Sequence, residues 1–145
     1  MMPPPTDTKG TMSRINIDVL EQQARTMHVR ILETDIPGTT CGLYCERLNT
    51  IWLADWLNDR QRLCTLCHEL VHARYRDLGC GTRFGAKCER RARRETASTL
   101  ISPAEFAMAE GTWDGDTWHM AAELNVTTQV LEDYRRLLEE RSRIA

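Results

Sequence analysis

Hydrophobic residues change their spacing along the chain, and this change predicts where helices and strands lie. From Ser13 or Asn16 to about Met27 the apolar residues recur at helical spacing, which predicts a first helix. The next segments alternate between apolar and polar residues or are rich in β-branched and aromatic residues, as is typical of strands. The three predicted strands cover residues 28–33, 41–45 and 49–54.

Helical spacing returns after the third strand and continues through most of the remaining chain. The predicted elements are a helix from Asn58 or Asp59 to about Leu78, a loop over 79–85, a helix over about 87–102, a short helix over 104–110 and a helix-turn-helix-like segment over about 116–141. In the last segment we expect Thr127 to cap the second helix. We therefore predict an α+β fold, in which a small antiparallel three-stranded sheet packs on the helix that starts near residue 58 and a helical C-terminal half follows.

Length, composition and charge narrow the class of protein. Residues 1–12 are rich in Pro and Thr and are predicted to form a disordered tail, whereas residues 13–145 are predicted to form a single domain. The net charge of −2 gives no reason to expect a nucleic-acid partner, and no apolar run approaches the roughly 20 residues that cross a membrane. The N-terminus lacks the basic and apolar regions of an export signal. We therefore expect a cytoplasmic, monomeric protein whose six cysteines are thiols.

The helix that starts near residue 58 contains the motif His-Glu-x-x-His, formed by His68, Glu69 and His72. Histidines four residues apart lie one turn above each other on one helix face, so each can give a ring nitrogen to the same Zn²⁺ ion. Glu69 lies about 100° further round the helix, where its carboxylate can take a proton from a water molecule on that metal. The leucines of this helix cluster on the opposite side and have a core of their own. The motif therefore predicts a zinc hydrolase, most often a peptidase.

A catalytic zinc usually has three protein ligands, so the next helix is expected to supply one more. It offers two carboxylates, Glu89 and Glu95. Glu89 lies on the apolar, inward stripe of this helix, whereas Glu95 lies about 120° away, near Arg91, where an exposed ion pair is the plainer interpretation. We predict Glu89 as the third ligand and keep Glu95 as the alternative.

Two more residues are candidates for stabilising the oxyanion of a peptidase reaction. Tyr75 follows the motif by less than one turn and falls near the metal-facing side of the helix. His119 is the remaining histidine downstream of the motif. Both are included among the predicted catalytic residues, with Glu69 as the general base.

Four segments of the chain carry a family resemblance: 42–44, 49–53, 62–73 and 89–101. Together they resemble the ImmA/IrrE family of zinc metallopeptidases, small gluzincin-type proteins common in phages, integrative elements and bacteria. The resemblance implies a minimal zincin, with a short sheet over the active-site helix and a Glu ligand from a second helix. Glu89 and Ala92 match the first and fourth positions of the family's Glu-x-x-Ala motif. The next position usually holds an Asn or Asp that supports a zinc-binding histidine, and here it is Arg93.

The resemblance also implies a partner, because family members typically act on a helix-turn-helix repressor. We therefore predict a zinc-dependent endopeptidase that cleaves a regulatory protein such as a phage or mobile-element repressor, and the strand at 49–54 is a candidate edge for an extended substrate. A second hypothesis is a catalytically weak or inactive module, stabilised by zinc, that sequesters a regulator. A third is a DNA-binding regulator built on the helices of 116–141.

Overall fold

A computed structural model of the chain describes residues 14–78 and 85–144. The α+β class is confirmed, since these residues form six helices and three strands. In chain order they are α1 (Ile17–Thr26), β1 (Arg30–Thr34), β2 (Gly42–Cys45), β3 (Thr50–Ala54), α2 (Asp59–Arg74), α3 (Ala86–Leu100), α4 (Pro103–Trp113), α5 (Thr117–Leu124) and α6 (Thr128–Ile144). The predicted tail at 1–12 and residues 79–84 of the predicted loop lie outside the described residues.

The three strands form a mixed sheet in the order β1-β3-β2, so the predicted antiparallel arrangement is wrong for one pair. β2 runs antiparallel to β3, whereas β1 runs parallel to it, with Arg30 opposite Thr50 and Thr34 opposite Ala54. The alternating pattern shows which segments are extended but not which neighbour each one takes. The central strand is β3, which has a partner on both sides. It therefore cannot accept the added substrate strand predicted for 49–54, and the edge next to α2 belongs to β2.

Helix α2, which contains the His-Glu-x-x-His motif, begins with a reciprocal cap. The Asn58 side chain accepts a hydrogen bond from the Gln61 amide at 2.8 Å, and the Gln61 side chain accepts one from the Asn58 amide at 2.9 Å. Such a capping box satisfies two amides that the helix leaves without partners, so the helix starts where the sequence predicts. The predicted apolar side of α2 is buried in the core through Leu63, Leu66 and Leu70.

Strand β2 lies unusually close to α2 at Gly42. A Cβ atom at this position would lie 2.6 Å from Cγ2 of Thr65 and 3.4 Å from Cγ of Glu69. Only glycine allows the backbone to approach the helix this closely. The edge of the sheet is therefore held directly beside the glutamate of the motif.

The segment predicted to resemble a helix-turn-helix contains two helices, α5 and α6, and Asn125 between them has a left-handed backbone with φ of 56°. Thr127 caps α6 as predicted, because its hydroxyl oxygen accepts a hydrogen bond from the Val130 amide at 3.2 Å. Val126 and Leu131 are fully buried, and α6 packs against α3. The segment thus contributes to the hydrophobic core, and the first turns of α6 reach the side of α3 that faces α2.

The structure bears on two expectations drawn from composition, one about membrane-spanning helices and one about the cysteines. Within the described residues no helix combines the length and apolar character that crossing a bilayer requires. Cys41, Cys64, Cys67 and Cys88 are free thiols, but Cys45 is disulfide-bonded, so the prediction of thiols is wrong for Cys45. That prediction considered only the cellular compartment and took no account of which sulfur atoms the fold brings together.

Candidate metal and peptidase site

The three predicted metal ligands come together between α2 and α3. Nε2 of His72 lies 2.8 Å from the Glu89 carboxylate, and Nε2 of His68 lies 3.3 Å from it. One ligand atom from each residue can be chosen so that all three lie within 4.8 Å of one another. The alternative ligand Glu95 instead pairs with Arg74 at 3.5 Å. Of the two carboxylates on α3, only Glu89 is therefore positioned to share a metal with the histidines.

The sequence places Glu89 at the histidines through the amphipathic character of α3. Its buried residues are Ala92, Thr96, Ala97 and Leu100, which are the residues of the predicted inward stripe. Glu89 precedes this stripe by one turn on the same side, and 48% of its side-chain surface is exposed. The His72 side chain is buried and that of His68 is 21% exposed. The cluster is thus closed toward the core and open toward solvent, as a catalytic site requires.

The chemistry of these donors fits zinc. Two imidazole nitrogens and one carboxylate oxygen are a donor set used by zinc peptidases. Hydrogen bonds from His68 and His72 hold the pKa of Glu89 well below its usual range, so the carboxylate is ionised. Burial acts to lower the pKa of His72, but its bonds to Glu89 and Asp77 raise that pKa to about 9. A positive charge, whether a proton or a metal ion, is therefore stabilised in the space between the imidazole nitrogens and the carboxylate oxygens.

The sequence analysis missed one residue of this site, Asp77. Its carboxylate is buried and lies 2.7 Å from Nδ1 of His72, on the side of the ring opposite to Glu89. A carboxylate in this position accepts the Nδ1 proton, fixes the tautomer of the imidazole and leaves Nε2 for a metal. Asp77 is therefore placed to give His72 the support that the family resemblance implies for an Asn or Asp at the position of Arg93.

Asp77 reaches His72 because α2 ends earlier than predicted. The helix stops at Arg74, and Arg76 adopts a left-handed backbone with φ of 50°. The Arg76 amide bonds to the carbonyl of Ala73, and the Asp77 amide bonds to the carbonyl of His72 at 3.0 Å. These two bonds define a Schellman motif, which normally has glycine at the left-handed position. Because this position is an arginine, the sequence contains no signal that ends the helix before Gly79. An acidic residue five positions after the second histidine could still have indicated Asp77 as a partner of His72.

A salt bridge holds Asp77 from its other side. Its second carboxylate oxygen accepts a hydrogen bond from the Arg91 guanidinium, and this guanidinium lies over the Tyr75 ring at 3.9 Å from the centroid. Burial opposes ionisation of Asp77, but Arg91 and His72 together lower its pKa below the ordinary value. The result is a line of contacts from His72 through Asp77 and Arg91 to Tyr75.

The two predicted oxyanion-stabilising residues do not lie at the cluster. Tyr75 contacts Arg91, at the outer end of the line of contacts just described. His119 stacks on Trp113 with ring centroids 4.7 Å apart and bonds to Asp116 at 2.9 Å. Neither Tyr75 nor His119 lines the cleft next to the metal ligands. Their inclusion rested on sequence position alone, which does not determine where a side chain beyond the helix is directed.

The general-base candidate Glu69 lies at the bottom of a cleft of about 370 Å³ that it shares with His68 and Glu89. Only 8% of Glu69 is exposed. Burial raises the pKa of this carboxyl group, although the nearby histidines act in the opposite direction. Gly42 of β2 forms one wall of the cleft, and the start of α6 with Arg93 and Asp133 forms another. The cleft thus combines a metal-ligand cluster, a buried carboxyl group and a strand edge.

The comparison with known families agrees with this geometry. Residues 12–134 match a peptidase family described as the IrrE N-terminal-like domain. The match covers most of the chain and includes the cluster, the cleft and Asp77. A search of curated proteins and a search of solved structures each found no significant match. The chain therefore belongs to the peptidase family of IrrE N-terminal-like domains.

Proposed function

We propose that the protein is a zinc-dependent endopeptidase that acts as a monomer in the cytoplasm on a regulatory protein, such as a phage or mobile-element repressor of the helix-turn-helix type. The observation that carries the proposal is the convergence of His68, His72 and Glu89, with ligand atoms within 4.8 Å, next to the buried Glu69. Membership of a peptidase family supports the same reaction class. The identity of the substrate is an expectation from the family resemblance.

Three residues would hold the metal, and a fourth would orient one of them. His68 and His72 would each contribute Nε2, and Glu89 would contribute a carboxylate oxygen. Asp77 would keep the His72 ring in one tautomer by accepting its Nδ1 proton. A zinc ion bound there supplies a Lewis acid that polarises a carbonyl group and makes water more acidic.

In this proposal Glu69 moves the proton. Its carboxylate takes a proton from the attacking water and passes it to the amine that leaves when the peptide bond breaks. Burial raises the pKa of Glu69 above its ordinary value, which makes its carboxylate a stronger base than an exposed one. The backbone edge of β2 at Gly42 lies beside this carboxylate, so an extended substrate that paired with β2 would present its backbone to Glu69.

The alternative of an inactive, zinc-stabilised binding module rested on Arg93, which stands where relatives have a supporting Asn or Asp. Asp77 supplies a carboxylate to His72 from a different position. This contact supports a fully assembled site and so favours the endopeptidase over the binding module. Arg93 itself lines the cleft.

The test compares wild-type protein with the Glu69→Gln variant after zinc content has been measured by elemental analysis. The candidate substrates are the regulatory proteins encoded next to this chain. We expect one zinc per chain in both proteins and a loss of cleavage of about 100-fold or more in the variant, since a general base contributes about that much. Glu110→Gln, an exposed glutamate on α4 outside both the cluster and the cleft, is the matched control and should cleave as wild type does.

Two results would contradict the proposal. If the Glu69→Gln protein cleaves as fast as wild type, Glu69 is not the base and the mechanism is wrong. If zinc-loaded wild type and the Glu69→Gln variant bind the regulator equally well and neither cleaves it, the protein is the binding module.

A further inference from the structure

A groove with a large excess of positive charge runs between α3 and α6. Its larger part has a volume of about 610 Å³, and its charged lining consists of five basic residues and one acidic residue. These are Lys87, Arg90, Arg91, Arg94 and Arg141 against Glu95. A whole chain with net charge −2 does not predict such a concentration of cations on one face. We call this part, together with the smaller depression beside it that Arg90 and Arg94 also line, the α3–α6 groove.

The α3–α6 groove continues into the catalytic cleft. Arg90 and Arg94 line both the larger part and a smaller depression of about 70 Å³ beside it. Arg93 and Asp133 line both this smaller depression and the cleft that contains Glu69. One extended ligand could therefore occupy the cleft and the groove at the same time.

Several of these cations have no counter-ion of their own. Arg91 pairs with Asp77, Arg94 with Glu140 at 3.3 Å and Arg136 with Asp133 at 3.5 Å. Among the residues that the structure describes, no ion pair involves the other four basic residues, which are all exposed: Lys87, Arg90, Arg93 and Arg141. Solvated, unpaired cations that line a concave surface raise the local concentration of anionic groups and favour their binding.

We propose that the α3–α6 groove binds an acidic segment of the protein substrate whose scissile bond lies in the catalytic cleft. This inference rests on the proposed peptidase function, because the occupant of the groove is taken to be a continuation of the occupant of the cleft. Aspartate or glutamate side chains of the substrate pair with Arg90 and Arg141, and bidentate contacts are available to each guanidinium. The groove then determines which protein is held long enough to be cut.

Nucleic acid is the other class of anionic ligand, and two observations argue against it. The basic residues line a recess between two helices that opens into a peptidase cleft, whereas a duplex needs a row of cations along an exposed surface. The overall charge of the chain is −2, and the resulting repulsion acts more strongly on a densely charged duplex than on a segment with a few carboxylates. An extended polypeptide is also thin enough to lie in a recess between two helices.

The test measures binding apart from turnover. Zinc-loaded Glu69→Gln protein is titrated against a short fluorescein-labelled polyglutamate peptide, a polylysine peptide of the same length and a short DNA duplex, and fluorescence anisotropy is recorded. We expect the polyglutamate peptide to bind best and its affinity to fall with added salt. Adding Arg90→Glu and Arg141→Glu should weaken this binding by about tenfold or more and should allow the polylysine peptide to bind instead.

The matched control reverses two exposed arginines away from the groove, Arg30→Glu and Arg47→Glu, and should bind the polyglutamate peptide as the parent protein does. Thermal unfolding confirms that each variant is folded. Equal losses in the control and the groove variant, or no loss in either, would overturn the proposal. So would DNA binding that is tighter than peptide binding and depends on Arg90 and Arg141.

A second measurement links the α3–α6 groove to the reaction. Wild-type protein and its Arg90→Glu, Arg141→Glu variant each digest a random peptide library, and mass spectrometry identifies the cleaved peptides. We expect Asp and Glu to be enriched on one side of the cleaved bond for wild type only. Cleavage without such enrichment would overturn the groove proposal and leave the peptidase proposal standing. Peptide binding that depends on Arg90 and Arg141, without any cleavage, would overturn the peptidase proposal and leave the groove only as a binding site for acidic peptides.

Discussion

Replacement of Asp77 by asparagine tests whether the end of α2 prepares the metal site. The two carboxylate oxygens of Asp77 serve two donors, Nδ1–H of His72 at 2.7 Å and the guanidinium of Arg91. Asparagine has the same shape but only one acceptor oxygen, so its amide NH₂ must face one of these donors. Because the Asp77 side chain is 6% exposed, water cannot easily take over the lost bond.

The size of the effect follows from the kind of bond that is lost. A hydrogen bond to a charged partner contributes about 1.5–3 kcal/mol, and part of this free energy is available to hold His72 in the ligand geometry. That range corresponds to a loss of about 10- to 100-fold in zinc affinity, which is also typical when a residue that supports a metal ligand is replaced. We therefore expect the dissociation constant for zinc to rise by this factor in Asp77→Asn.

The assay is competition for zinc against a chromophoric chelator at fixed pH. Asp55→Asn is the control, since Asp55 is exposed and lies at the end of β3, outside the site. The unfolding temperature of zinc-free protein should be compared as well, so that a general loss of stability can be recognised. If Asp77→Asn binds zinc within about twofold of wild type and its zinc-free form is equally stable, the buried carboxylate has no part in preparing His72.

Two further predictions concern the strand edge and the protonation of the site. Gly42→Ala should lower the free energy of unfolding by about 1–3 kcal/mol, because the new Cβ would lie 2.6 Å from Cγ2 of Thr65. Urea denaturation measures this free energy. A second change, Thr65→Ser, removes the methyl group and should restore part of the lost stability. Zinc binding at pH 7 to 8 should release about one proton per chain, because the pKa of His72 is raised to about 9 in zinc-free protein and Nε2 must lose its proton before it can bind a metal. Titration calorimetry in buffers of different ionisation enthalpy detects this proton. Zinc affinity should increase with pH up to about 9 and then level off. Equal zinc affinity at pH 7 and pH 9 would contradict the raised pKa of His72. By the same linkage, the bonds to protonated His72 stabilise zinc-free protein fully below pH 6.5, and this contribution is lost as the pH rises through 9.

The parts of the site that are readable from sequence are those determined within one helix. His68 and His72 are brought together by helical spacing alone, so their convergence needs no knowledge of the fold. Glu89 was identified because its position relative to the buried stripe of α3 determines the side from which it approaches α2. The capping residues Asn58 and Thr127 were also readable, since a cap bonds to its own helix.

The parts that escaped prediction depend on contacts between segments. The parallel pairing of β1 with β3 is set by how residues 35–41 carry the chain past β3, and no local pattern records that path. Asp77 was missed because the turn that directs it has arginine at the left-handed position and therefore lacks the usual glycine signal. Tyr75 was included because the spacing of an ideal helix was extended beyond the end of α2, and His119 was included only as the remaining histidine downstream of the motif.

Because of the Schellman motif at the end of α2, unfolding of the last helical turn would disturb the metal site, and a bound metal would oppose that unfolding. The carbonyl of His72 accepts the Asp77 amide, and the ring of His72 donates to the Asp77 side chain. Fraying of the final turn breaks both bonds together and releases an imidazole that would otherwise be a ligand. An ion bound to that imidazole would therefore stabilise the backbone at Asp77, so the C-terminal end of α2, where helices ordinarily fray first, would open more slowly in zinc-loaded than in zinc-free protein.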